Sequence, residues 1–229
     1  MKYYRINIAF ALLLLILANN PSKAQTDYKA DFDKIKKVYS AFTSYEVPVE
    51  FIMYDKITLN VLQKSNGTLL QSGNNRYYKS LEAEFISYDG LTVDVFHTDK
   101  TIIVSKTQGR MQLDLNPTTI ITEKYIKSVN QSVKNDIKTY AMFFASGNYS
   151  KIEISFNVKS YHVNSIKIYD SAAEDLKEPV IIEIKYGKII PKNIAKESFP
   201  ITKYVTKTQA GFECKPGYVN YELMDTYTY

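Results

Sequence analysis

The chain contains no tryptophan, one cysteine, two histidines and eight glycines in 229 residues. Each scarcity removes a class of function. Cys214 alone builds no internal disulfide framework and no C-x-x-C pair, and its expected fate is that of a small buried hydrophobe. His97 and His162 are the whole supply of imidazole, and neither lies in a nucleophile elbow of the G-x-S-x-G kind. H-E-x-x-H and the acidic spacing of a calcium loop are absent, and no glycine-rich stretch is available to cradle a phosphate. Glu82 and Glu84 are two apart on a predicted strand and so share its face, which alternation produces without any acid-base role. No catalytic residue, metal site or cofactor is expected.

Long hydrophobic runs are missing too. The longest, Ile8 to Ala18, is well short of the roughly 20 residues that span a bilayer. Lys2 and Arg5 precede it and Ser22-Lys23-Ala24 follows, the order of a cleavable secretory signal over residues 1–24. The mature chain is then expected to be a single domain, residues 25–229, in the periplasm and not integral to a membrane. Losing Lys2, Arg5 and Lys23, three positive charges and no acidic one, lowers the formal charge from +5 to +2. That is too little for a concentrated basic face, so nucleic acid is not an expected partner.

What the chain has in quantity is tyrosine, 20 residues, with 11 phenylalanines. Both suit half-buried pleated surfaces. From Gly67 to Lys106, short apolar runs are broken at Ser72-Gly73-Asn74-Asn75, Asp89-Gly90 and Thr98-Asp99-Lys100. Asp-Gly between two β-rich runs predicts a type I′ hairpin, so this stretch reads as an antiparallel meander. Val47, Val49, Phe51 and Met53 alternate with polar or outward residues in a preceding strand, continued by Ile57, Leu59 and Val61. Ile152, Ile154, Phe156 and Val158 do the same later. Further strands are predicted at 140–145, 163–169, 180–186, 201–206 and 219–229, with a polar connection at 171–178.

Two segments read as helices. Tyr28, Phe32, Ile35, Tyr39 and Phe42 recur at four, three, four and three residues, one apolar stripe with Asp27 as its cap. After Asn116-Pro117, Ile121, Tyr125, Val129, Val133 and Ile137 fall every four residues, predicting a second helix over much of 117–137. The expected class is α+β: one large curved antiparallel sheet, an unclosed β-barrel, with helices covering the concave face. The enclosed apolar space is either a core or a pocket.

Gly67-Thr68-Leu69-Leu70, Arg76-Tyr77-Tyr78 and Phe85-Ile86-Ser87-Tyr88-Asp89-Gly90-Leu91-Thr92-Val93 follow Phe51 and Met53 in an order that resembles the periplasmic lipoprotein-carrier family of LolA-like fold. The resemblance covers about residues 28–105, and Gly73-Asn74 stands where that family has an Arg-Pro pair. It implies a lid of helices over a cavity for acyl chains, with Arg76 as the candidate lid contact. The ligand-facing candidates are then Phe32, Ile35 and Tyr39 on the first helix, and Phe51, Met53 and Phe85 on the first strands. Val93 and Val95, with Ile152, Ile154 and Phe156, complete them. The implied partners are an acylated protein or lipid, with an envelope membrane protein as a possible dock. The alternative is a non-catalytic envelope interaction module of the same fold with a filled core.

Overall fold

The computed structural model describes residues 23–106, 121, 123–147, 149–170 and 180–227. It opens with helix α1 (Lys23–Ser40), whose stripe Tyr28, Phe32, Ile35 and Tyr39 is buried throughout. Because α1 begins at Lys23, the predicted cap position, Asp27, falls within the helix. Six strands follow as a meander: β1 (Ser44–Asp55), β2 (Val61–Ser72), β3 (Asn75–Ser80), β4 (Ala83–Tyr88), β5 (Leu91–Phe96) and β6 (Thr101–Lys106). The β4–β5 turn has Asp89 at φ 51° and Gly90 at φ 79°, the signs a type I′ hairpin requires. Between β1 and β2 the alternation breaks, for 56–60 form a turn with Leu59 at φ 59°.

A second meander comprises β7 (Ile126–Lys134), β8 (Ile137–Phe144), β9 (Tyr149–Asn157), β10 (Val163–Asp170) and β11 (Val180–Tyr186). The predicted second helix is therefore corrected: its described part from 126 onward is β7 and the start of β8. Asn135 and Asp136, both at positive φ, form the two-residue turn between those strands. Its beginning, 117–120, and the predicted connection at 171–178 lie outside the described residues, as do residues 1–22.

The meanders join where β11 pairs antiparallel with β1. The resulting sheet runs β15-β6-β5-β4-β3-β2-β1-β11-β10-β9-β8-β7, with the short β12 (Ile190–Pro191) also against β1 and β15 being Glu222–Asp225. Its ends do not pair, so the curved sheet remains an unclosed barrel, as the composition and order predict. A small separate hairpin pairs β13 (Val205–Thr208) with β14 (Gly211–Cys214). The expected strand at 201–206 starts instead as the short helix α2 (Ile201–Tyr204). The expected strand at 219–229 is reduced to β15, parallel to β6.

Each face of the sheet has its own core. On one, α1 packs with Val47, Tyr140, Met142, Ile152, Ile154 and Phe156. On the other, the C-terminal segment supplies Ile194, Phe199, Tyr204 and Val205 against Tyr77, Ile86, Val93, Val95, Ile102 and Val104. Strands β4 and β5 are thus largely buried on both sides, with Ile86, Val93 and Val95 in this second core and the alternate positions facing the first. Among the described residues, no helix is long and apolar enough to cross a membrane.

Candidate functional site

The face that carries α1 is only partly filled. Beyond the helix, β1 to β5 and β11 enclose a cavity of about 690 Å³, within the roughly 300–1,000 Å³ typical of small-molecule sites. Val49, Phe51 and Met53 of β1 form one wall with Ile182 and Ile184 of β11. This follows from the register, which sets Phe51 opposite Ile184 and Met53 opposite Ile182. Across the space, Tyr78 stacks on Phe85 at 5.7 Å, and Phe85 meets Phe96 edge-on at the same distance.

Gly67 makes room for that stack. A Cβ there would lie 2.5 Å from the Lys79 carbonyl and 2.6 Å from the Tyr78 ring, so the ring lies over the glycine where any side chain would stand.

One end of the cavity is polar. Pairing aligns Arg76 with Ser87, and Ser87 with Thr92, in one rung across β3, β4 and β5; all three line the space, as does Asp94. The opposite end reaches the surface, for its lining includes the exposed Thr98 and Asp99. Glu82 lies there as well and accepts a hydrogen bond from Gln63 Nε2 at 2.9 Å. The arrangement offers an apolar sleeve with hydrogen-bonding groups at its inner end.

The sequence candidates divide accordingly. Phe51, Met53 and Phe85 line the cavity, and Arg76 lines its polar end from β3. Phe32, Ile35 and Tyr39 are on the same face but buried where α1 meets the sheet, with Ile152, Ile154 and Phe156, and none of the six lines the cavity. Rather than a lid over the cavity, α1 is a plug beside it. Val93 and Val95 point to the other face and pack under the C-terminal segment. The inward positions of β5 are Thr92, Asp94 and Phe96. The two-residue turn implied this, since it pairs Phe85 with Asp94 and Ile86 with Val93.

The plug is pinned by polar contacts. Asp31 accepts hydrogen bonds from Lys138 Nζ and Tyr140 Oη, both at 2.8 Å. Burial would raise its carboxyl pKa, but these bonds and the Lys138 and Lys34 charges outweigh burial and hold it below the ordinary value. Tyr39 Oη accepts the Val163 N–H at 2.9 Å, while burial pushes its phenol up to about 12.

Glu84, expected to share a face with Glu82, is buried on the opposite side from the cavity, because Glu82 sits in the turn before β4. Tyr77 donates to Glu84, His97 Nε2 lies 3.1 Å from it and Lys203 Nζ 3.6 Å. Burial opposes its ionisation, yet the bonds from Tyr204, Tyr77 and His97 keep its pKa below the ordinary range. The second nitrogen of His97 meets Tyr221 Oη at 3.1 Å. This cluster fastens the C-terminal segment to the sheet. Burial raises the pKa of the Cys214 thiol, which disfavours the nucleophilic thiolate. Among the described residues, no group of three or more potential ligands could hold a metal ion.

No family model matches the sequence, and no curated protein matches it significantly. Solved structures do. An uncharacterised conserved protein from Thermus thermophilus superposes with a TM-score of 0.50 at 8% identity, over 86% of this chain and 98% of that one. A LolA superfamily protein from Nitrosomonas europaea is similar at a TM-score of 0.40 and 11% identity, over 76% and 97%. A putative outer membrane lipoprotein-sorting protein domain from Vibrio parahaemolyticus is similar at 0.37 and 8%, over 75% and 96%. The likeness at a TM-score of 0.50 is one of fold alone.

Proposed function

We propose that this protein is a carrier that holds an acyl chain of a lipoprotein or lipid in the cavity between β1, β11 and the β2 to β5 meander. The observation that supports the reading is the 690 Å³ space itself, left in a face whose other half is tightly packed. Its walls are the side chains of Phe51, Met53, Phe85, Phe96, Ile182 and Ile184. Enclosing hydrocarbon contributes about 0.8 kcal/mol per methylene, so a sixteen-carbon chain held along its length would gain roughly 12 kcal/mol. Partial exposure at the Thr98 and Asp99 rim reduces that gain, which a carrier needs in order to release cargo. The polar rung at Arg76, Ser87 and Thr92 suits the hydrogen-bonding end of an amphiphile.

With the signal expected in residues 1–24, the reading places the carrier in the periplasm. The interaction-module alternative requires a filled interior, and the open space favours the carrier. Native extraction followed by mass spectrometry, with titration of a fluorescent fatty acid, tests it. Bound acyl species and saturable uptake are expected. A chain purified without lipid that ignores the probe would overturn the reading.

A further inference from the structure

Among the described residues, five of the ten exposed large apolar side chains cluster at one end. Ile57 is 79% exposed, Leu59 63% and Leu81 94%, and Val61 and Leu62 are exposed beside them. In the meander, the turns at 56–60, 81–82 and 97–100 all fall at that end, where Met53, Gln63, Glu82 and Thr98 frame the cavity. The β1–β2 hairpin also projects: β3 pairs with β2 only from Gly67 onward, leaving 61–66 to continue past its neighbour.

The tip is built, not frayed. Asp55 Oδ1 accepts the Ile57 N–H at 2.9 Å and the Thr58 hydroxyl at 2.8 Å, and the Leu59 N–H donates to the Asp55 carbonyl at 2.9 Å. Leu59 takes φ 59°, a conformation that disfavours a branched apolar residue and that asparagine or glycine adopts more readily. A leucine held there by a capped turn, with its side chain in water, calls for an apolar partner.

We propose that the Ile57–Leu62 tip, assisted by Leu81, inserts into the surface of a phospholipid bilayer and sets the cavity mouth against the acyl layer. The tips are convex, belong to separate turns and flank an opening. A rigid protein partner would have to cover that opening, whereas a fluid layer admits each tip independently. Lys79 and Lys100 are exposed at the same end, where their ammonium groups would sit at phosphate depth beside the exposed carboxylates of Asp99 and Glu222, while Lys56 Nζ donates to the Asp170 carbonyl at 2.7 Å. This inference goes beyond the carrier reading, on which it rests only for its purpose.

The absence of tryptophan gives a direct test. In the full mature chain, Ile57→Trp is mixed with vesicles of phosphatidylethanolamine and phosphatidylglycerol at three to one. Val133→Trp, exposed on β7 at the far edge, is the control. A blue-shifted emission for Ile57→Trp alone is expected. Leu59→Asn, which suits the positive φ and so preserves folding, should reduce vesicle co-sedimentation at least tenfold when combined with Ile57→Ser. Unshifted emission, equal shifts at both sites, undiminished binding of the double variant, or binding only to protease-sensitive membrane fractions would each overturn the proposal. Uptake of free fluorescent fatty acid without vesicles reads the cavity separately. It should be the same in the double variant and the parent, so a failure of docking is told apart from a failure of the carrier reading.

Discussion

One face of one sheet ends in two different ways. Over β8 and β9 the inward side chains are Tyr140, Met142, Ile152, Ile154 and Phe156, and α1 lays Tyr28 and Phe32 against them, with Phe32 and Tyr140 edge-on at 5.8 Å. Over β2 to β5 the inward positions include Ser65, Gly67, Ser80, Ala83 and Thr92, and α1 contributes no lining residue. Under α1 the inward side chains are large throughout and make a core; over β2 to β5 small residues alternate with Tyr78, Phe85 and Phe96, and among the described residues no helix fills the hollow they leave. The cavity is therefore written in residue size at alternate strand positions and needs no special backbone.

The comparison breaks most visibly under truncation. Phe32→Ala should cost about 3–5 kcal/mol, because the ring is 3% exposed in a packed site that relaxes little. Phe51→Ala, an equal truncation beside an existing void, should cost only about 1 kcal/mol, since the ring already borders open space. Urea unfolding of both variants decides it. Equal losses would mean that the two ends are equally packed.

Gly67→Ala tests the border between the ends. Its Cβ collides with a backbone carbonyl as well as with the Tyr78 ring, so yielding requires β2 and β3 to separate. A loss of about 2 kcal/mol is expected, in the range of overpacked sites. Displaced Tyr78 should at the same time weaken fatty-acid uptake. Normal stability with normal uptake would show that the ring is free to move away.

Asp31 sharpens the contrast through pH. Its pKa is lower in the folded chain than in the unfolded one. Its contribution is therefore complete above the ordinary carboxylate range and is lost as pH falls through the folded value. Asp31→Asn should remove about 1.5 kcal/mol at neutral pH, as for a hydrogen bond to a charged group, and the variant should lose less stability than the parent below about pH 4. Glu84 supplies a similar acid sensitivity on the other face, so some slope should remain. A variant whose decline matches the parent's would show that Asp31 does not pin α1.

Much of the fold is legible in the sequence because half-buried strands advertise themselves. Ile152, Ile154 and Phe156 alternate with Glu153 and Ser155, and β9 is where that pattern lies. The same rule misleads at β7, since residues four apart share a side in a strand as well as in a helix. Ile121, Tyr125, Val129 and Val133 therefore could not separate the two, and Val129 is buried while Val133 stands in solvent. The usable signal was the Asn135-Asp136 pair, a two-residue turn between β-capable runs. The site was less legible for a related reason. Reading apolar residues as cavity-facing placed Val93 and Val95 inside, but β5 is buried on both faces, and its polar side faces the hollow.

The smallest stability change should accompany the largest change in binding. Ser65 lines the cavity from β2, half-buried, and its hydroxyl lies 3.4 Å from Tyr78 Oη, too far for a strong bond. Ser65→Trp places a large ring into existing space, so burial of the indole offsets the lost contact and stability should stay within about 1 kcal/mol. Uptake of fluorescent fatty acid should fall at least tenfold, because the ring occupies the volume the chain would fill. The indole is the sole one in the chain and reports its own position. Blue emission with lost uptake is expected, whereas blue emission with unchanged uptake would place the acyl site elsewhere. Under α1 no such substitution exists, for at Ile154, with no exposed surface, the same ring would have to force the helix off the sheet.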